Sequence, residues 1–140
     1  MQRCLELAKQ AKSNGHTAVG CVIVKDNTII AEGLEGSEEL PKLMSHAENV
    51  AILKTINTLG TKDLSNCALY TTVEPCFMCT YLIRQTKLKK VVYGTTTPAE
   101  GNSSIFPILQ TDAISVWEKA PEIIGGLLES ECKALLKKQS

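Results

Sequence analysis

The sequence predicts an α/β fold in which helices cover both faces of a single sheet, and three observations carry that prediction. Strand-like segments alternate with helical ones along the chain, an order that requires crossover connections. At 140 residues the chain is long enough for one domain with a real core and too short for two. Apolar residues make up 44% of it and charged residues 21%, the ordinary balance of a globular protein. No internal repeat, low-complexity tract or long linker divides it, so residues 1–140 are read as one domain.

Cys4, Leu5, Ala8 and Ala11 recur at helical spacing, and Asn14-Gly15 offers a stop. Val19 to Val24 and Ile29 to Ala31 read as strands around Asp26-Asn27, which is hairpin-turn chemistry. A polar stretch from Gly33 to Met44 follows, carrying Glu35, Glu38 and Glu39. The apolar-rich run from Ser45 to Leu59 ends at Gly60 and predicts a largely buried helix. Cys67 to Val73 alternates as a strand, and Cys76 to Thr86 predicts another helix, with Pro75 where a first turn tolerates it. Val91-Val92-Tyr93 is a short strand ending at Gly94. A loop with Pro98 and Gly101 leads to an apolar segment around Ile105 to Leu109. Glu122-Ile123-Ile124 is the expected last strand, with Ala113 to Trp117 competing for that role. Leu127 to Lys138 closes the chain as a helix with Leu128, Cys132, Leu135 and Leu136 on its apolar side.

Acidic and basic side chains cancel at 15 each, which lowers the weight of a general nucleic-acid binder. The run of about 20 apolar residues that would span a bilayer is missing, and Met1 to Glu6 has no signal-peptide core. A cytoplasmic protein without a membrane partner is the expectation. Its six cysteines are then reduced thiols or metal ligands, and Cys4, Cys21, Cys67 and Cys132 read as small core residues. Only Cys76 and Cys79 are spaced to act together.

That pair is an incomplete metal site, and the chain has only two histidines, His16 and His46, to complete it. His46 and Cys76 both stand at expected helix starts, which gather at the carboxyl edge of a parallel sheet. Helix N-termini favour thiolates. Three protein ligands leave the fourth tetrahedral position of a zinc ion to water, as in catalytic sites. Glu48 is then the candidate to carry protons. Plainer readings exist for each part. Ser45-x-x-Glu48 also fits a capping box, His46 alone fits an ordinary half-buried histidine, and Cys-x-x-Cys alone fits a redox pair. The joint pattern is more specific: His46-Ala47-Glu48 followed by Pro75-Cys76-Phe77-Met78-Cys79 is the signature of zinc-dependent nucleobase deaminases.

At these residues the chain resembles the cytidine/deoxycytidylate deaminase superfamily, in its one-domain branch of guanine, cytosine and tRNA adenosine deaminases. Val19 to Val22, Thr71 to Cys79, Val91 to Gly94 and the ending from Gly126 to Leu136 fall in the family's order. The resemblance implies a five-stranded mixed sheet sandwiched by helices, in a homodimer or larger oligomer. It implies one Zn2+ per chain on His46, Cys76 and Cys79, with Glu48 shuttling protons in the hydrolysis of an exocyclic amine. Backbone at Gly20-Cys21 and at Pro75-Cys76 would flank the base.

The chain also departs from the tRNA-editing pattern. Where that branch carries an Asn-Arg pair, this sequence has Glu35-Gly36. A carboxylate there, with Glu38 and Glu39 near it, would repel polyanionic RNA and could accept hydrogen bonds from a small base. Trp117 is a further candidate wall for the substrate, whereas Phe77 and Phe106 read as core. Arg84, Lys87, Lys89 and Lys90 read as a solvated helix end. The expected function is therefore deamination of a free nucleobase, nucleoside or similar small heterocycle. Adenosine-to-inosine conversion on tRNA is the alternative, and a non-catalytic zinc-stabilised binding module is a third reading.

Overall fold

The computed structural model describes residues 1–96 and 108–137. Helix α1 (Gln2–Ser13) leads into a hairpin of β1 (Gly20–Lys25) and β2 (Thr28–Leu34). Helix α2 (Ala47–Leu59), β3 (Ala68–Val73), α3 (Phe77–Gln85) and β4 (Lys90–Thr95) follow. The short β5 (Glu122–Ile124) and α4 (Glu129–Leu136) complete the order. Asp26 and Asn27 both take positive φ, at 51° and 61°, which is the paired left-handed turn that matches the twist of a hairpin.

The five strands run in the order β2-β1-β3-β4-β5. β1 is antiparallel to β2 and to β3, whereas β3–β4 and β4–β5 are parallel, so the sheet is mixed. Alternation along β1 shows how the layers form: Cys21 and Ile23 enter the core beneath Ala47, Ala51 and Ile83, while Val22 meets Cys4 and Leu7 of α1. α1 and α4 pack together on one face, and α2 and α3 lie together on the other. This is the three-layer α/β/α arrangement, with a five-stranded mixed sheet, that the resemblance implies. Among the described residues, no helix is long and apolar enough to cross a membrane.

Gly33 seats α2. Any side chain there would collide with the Ala47 carbonyl and come 2.8 Å from the Ala51 nitrogen, so β2 and the first turn of α2 touch through bare backbone. The α2 start is thereby held against the sheet, a condition for the site below.

Several local expectations differ from the structure. Ala113–Trp117 forms no strand; Ser115–Trp117 is one turn of 3-10 helix. Arg84 does not end a solvated helix. It is 1% exposed and donates to the Ile108 and Leu109 carbonyls at 2.8 and 3.2 Å, because the chain after β4 folds back over it. Phe77 is 39% exposed rather than core. Pro98, Gly101 and Phe106 lie outside the described residues. Cys4, Cys21, Cys67 and Cys132, by contrast, are fully buried thiols, as expected of core residues.

Candidate zinc and catalytic site

His46 and Cys76 are the residues that immediately precede α2 and α3, each in extended conformation, with ψ of 145° and 176°. The His46 carbonyl accepts from the Val50 N–H at 3.0 Å and the Cys76 carbonyl from the Thr80 N–H at 2.8 Å. Extended backbone at the helix entrance turns each side chain out of the helical path. Cys79 follows in the first turn of α3. Two helix N-termini thus converge, and their aligned N–H dipoles favour anionic sulfur.

The three donor atoms form a nearly equilateral triangle. His46 Nδ1 lies 3.4 Å from Cys76 Sγ and 3.5 Å from Cys79 Sγ, and the sulfurs are 3.6 Å apart. Ligands around a tetrahedral zinc at its usual bond lengths stand about 3.5–3.8 Å from one another. The residues therefore fit a zinc ion, and they are the metal-competent group among the described residues.

The charge state fits as well. Hydrogen bonding from Cys79 and His46 brings the Cys76 thiol down to about 4, so Cys76 is the thiolate. Cys79 keeps the shared proton and is pushed up by its hydrogen bond to Cys76 and by burial. The hydrogen bond to Cys76 raises His46 to about 9.

Glu48 is 4% exposed, one residue into α2's first turn beyond Ala47. Thr71, on β3, donates its hydroxyl to Glu48 Oε1 at 2.7 Å. The other oxygen, Oε2, stands 3.7 Å from Cys79 Sγ, on the ligand side. Burial raises the Glu48 carboxyl to about 7, against the lowering by Thr71. Thr71 went unnoticed in the sequence, where it is one polar residue in an alternating strand; pairing of β3 with β1 opposite Cys21 is what aims it at α2. The capping-box reading fails here. The Ser45 hydroxyl donates to the Ser37 carbonyl, and α2 has no side-chain cap from its preceding residue.

A cavity of ≈ 270 Å³ opens beside the triangle, lined by Thr17, Val19, Glu35, His46, Glu48, Val73, Glu74, Cys76 and Leu136. Glu35 is in it, but its carboxylate accepts from the Ala47 N–H at 3.3 Å, so it points at the start of α2 rather than out to solvent. Burial raises its pKa, a further sign that it is not a free surface charge. Pro75 sits between the lining residues Glu74 and Cys76 without itself forming the wall. Gly20 faces α1 and donates its N–H to Thr72 Oγ1 at 3.2 Å, while Cys21 is sealed beneath α2. Neither lines the cavity.

Trp117 is also elsewhere. Its N–H donates to Gln85 Oε1 at 2.6 Å, Tyr81 meets it edge-on at 6.0 Å, and the Arg84 guanidinium lies 5.1 Å from its ring. These contacts hold it at the C-terminal end of α3, the opposite end from Cys76, about 12 Å away along the helix.

Residues 1–95 match the family model of the cytidine and deoxycytidylate deaminase zinc-binding region. A tRNA-specific adenosine deaminase of Aquifex aeolicus is 36% identical over 121 residues, 84% of this chain and 80% of that protein. One of Bacillus subtilis is 32% identical over 137 residues, 97% of this chain and 83% of that protein. Among solved structures, a tRNA:A34 deaminase studied for A-to-I editing at the wobble position superposes with a TM-score of 0.84 at 29% identity, over 95% of each chain. These likenesses overturn the expectation of a free nucleobase or nucleoside as substrate. Its physical premise was a repelling carboxylate at the cavity mouth, and Glu35 is instead engaged with a helix N-terminus.

Proposed function

The chain belongs to the cytidine and deoxycytidylate deaminase family and is a zinc-dependent hydrolytic deaminase; from that premise we propose that its substrate is an adenosine of tRNA, converted to inosine. The near-full-length likeness to tRNA adenosine deaminases carries this reading. The surroundings of the cavity support it: a second hollow of ≈ 610 Å³ adjoins the first, shares Thr17 and Glu35 with it, and includes His16, Ser37 and Lys42. A flipped nucleotide needs room for its neighbours beside the base pocket, and a free base does not.

His46, Cys76 and Cys79 would hold the zinc, which when bound activates water for attack on the carbon bearing the amine. Glu48 Oε2 would take one proton from the attacking water and deliver it to the ring nitrogen, then take the second proton from the added hydroxyl and deliver it to the amine, which departs as ammonia. A carboxyl held near neutrality can do both. Thr71 fixes Oε1, leaving Oε2 as the working atom. Val19, Val73 and Leu136 are the apolar walls against which the base would pack.

A homodimer is part of the proposal. Phe77 and Tyr81 stand exposed one turn apart on α3, and exposed Val116 adjoins the Trp117 that Tyr81 touches. Such apolar surface suits a second copy.

The test is ammonia release from an anticodon stem-loop, adenosine, cytidine, cytosine and guanine, each with the zinc-loaded protein and its Glu48→Gln variant. Release from the stem-loop by the parent protein alone is the expected result. Release only from a free base or nucleoside would overturn the substrate assignment.

A further inference from the structure

The wall of the base cavity contributed by α4 has its own support. Leu136 is the α4 residue that lines the cavity. The Lys12 ammonium, from the last turn of α1, donates to the Leu135 carbonyl at 3.1 Å and to the Lys137 carbonyl at 3.2 Å. Those two carbonyls flank Leu136 on either side. They belong to the end of a helix, where carbonyls lack intrahelical partners and a cation is favoured. The other fixed point of α4 is Cys132, buried on Gly94 of β4 so closely that a side chain at Gly94 would strike its sulfur. α4 has only eight residues, too few to hold its shape unaided.

We propose that Lys12 is a positioning residue for substrate: by clamping the backbone on both sides of Leu136 it sets the wall against which the target base packs. Resting on the cavity being the base site, this assigns Lys12 an effect on substrate binding and none on the proton chemistry of Glu48. Lys12 stands on α1 and Leu136 on α4, so the effect is carried entirely by the α1–α4 contact.

The experiment is a double-mutant cycle on the zinc-loaded protein, with the stem-loop as substrate. Lys12→Met keeps the aliphatic stem and removes the donors. It is expected to raise KM about tenfold with kcat within twofold, one zinc per chain retained, and faster amide exchange at the end of α4. Lys12→Arg, which can still donate to two carbonyls, should restore most of the loss. Leu136→Ala should raise KM similarly, and the double variant should be no worse than Leu136→Ala alone, because both act through one wall. Additive effects of Lys12→Met and Leu136→Ala, or an unchanged KM in Lys12→Met, would overturn the proposal. So would a salt dependence of binding whose slope falls by about one in Lys12→Met, since that would make Lys12 a direct phosphate contact. If the parent protein turns over a free base and not the stem-loop, the tRNA reading alone fails, and the same cycle on that base decides the role of Lys12.

Discussion

Thr71→Val is the most informative single perturbation of the proton carrier. The substitution keeps the side chain's shape in a fully buried position of β3 and deletes the hydroxyl that donates to Glu48 Oε1 at 2.7 Å. That hydrogen bond favours the charged carboxylate and opposes the burial that lifts Glu48 to about 7. Removing it therefore raises the Glu48 pKa. A hydrogen bond to a charged group is worth about 1.5–3 kcal/mol, and one pKa unit corresponds to about 1.4 kcal/mol, so the rise is about one to two units. Glu48 must be ionised to accept the first proton, so the acid limb of the kcat–pH profile should move upward by that amount. At pH 7, where about half of Glu48 is ionised in the parent protein, the rate should fall about five- to fiftyfold, recovering as pH rises. The assay is deamination from pH 5 to 9, with zinc content measured alongside. An acid limb that stays where it is in the parent protein would refute the assignment of Glu48 and Thr71 as a coupled unit.

Zinc uptake should release protons: at pH 7 His46, raised to about 9, and Cys79, raised by its bond to Cys76, still carry theirs, while Cys76, lowered to about 4, has none to lose. Calorimetry in buffers of different ionisation enthalpy should find about two protons per zinc and an affinity that climbs with pH towards 9; release near zero would contradict the ligand set. Gly33→Ala places a methyl against the Ala47 carbonyl and should cost about 1–3 kcal/mol, seen as a lowered Tm, with weaker zinc binding because the His46 end of α2 is displaced. A Gly33→Ala protein with unchanged Tm and zinc affinity would show that the α2 start is not set by this contact. Arg84→Met leaves the Ile108 and Leu109 carbonyls without their donor and should destabilise by about 2–4 kcal/mol while kcat at permissive temperature is unchanged, since Arg84 lies at the far end of α3.

Local chemistry is what the sequence announced well. Asp26-Asn27 can adopt the paired positive-φ turn with little penalty, and His46 and Cys76 sit beside the patterns that start α2 and α3. The metal triangle follows once those two starts meet. What stayed hidden depends on direction and on distant packing. Glu35 reads as a surface acid until the Ala47 N–H is seen to claim it, and Thr71 reads as an ordinary strand residue until β3 carries it under α2. Trp117 and Arg84 are tied to each other across 33 positions of sequence, a contact that no local pattern encodes. Net charge is a weak guide for a related reason: equal totals of acids and bases say nothing about which acids face a ligand.

The substrate proposed for this open three-ligand site, with Glu48 beside it, is an adenosine presented by RNA. The most direct measurement is the ratio of kcat/KM for an anticodon stem-loop to that for free adenosine, both followed as inosine with one zinc-loaded preparation. A ratio above about a thousand is expected, because contacts to flanking nucleotides are available only to the stem-loop. A ratio near or below one, with inosine formed as readily from the free nucleoside, would contradict it.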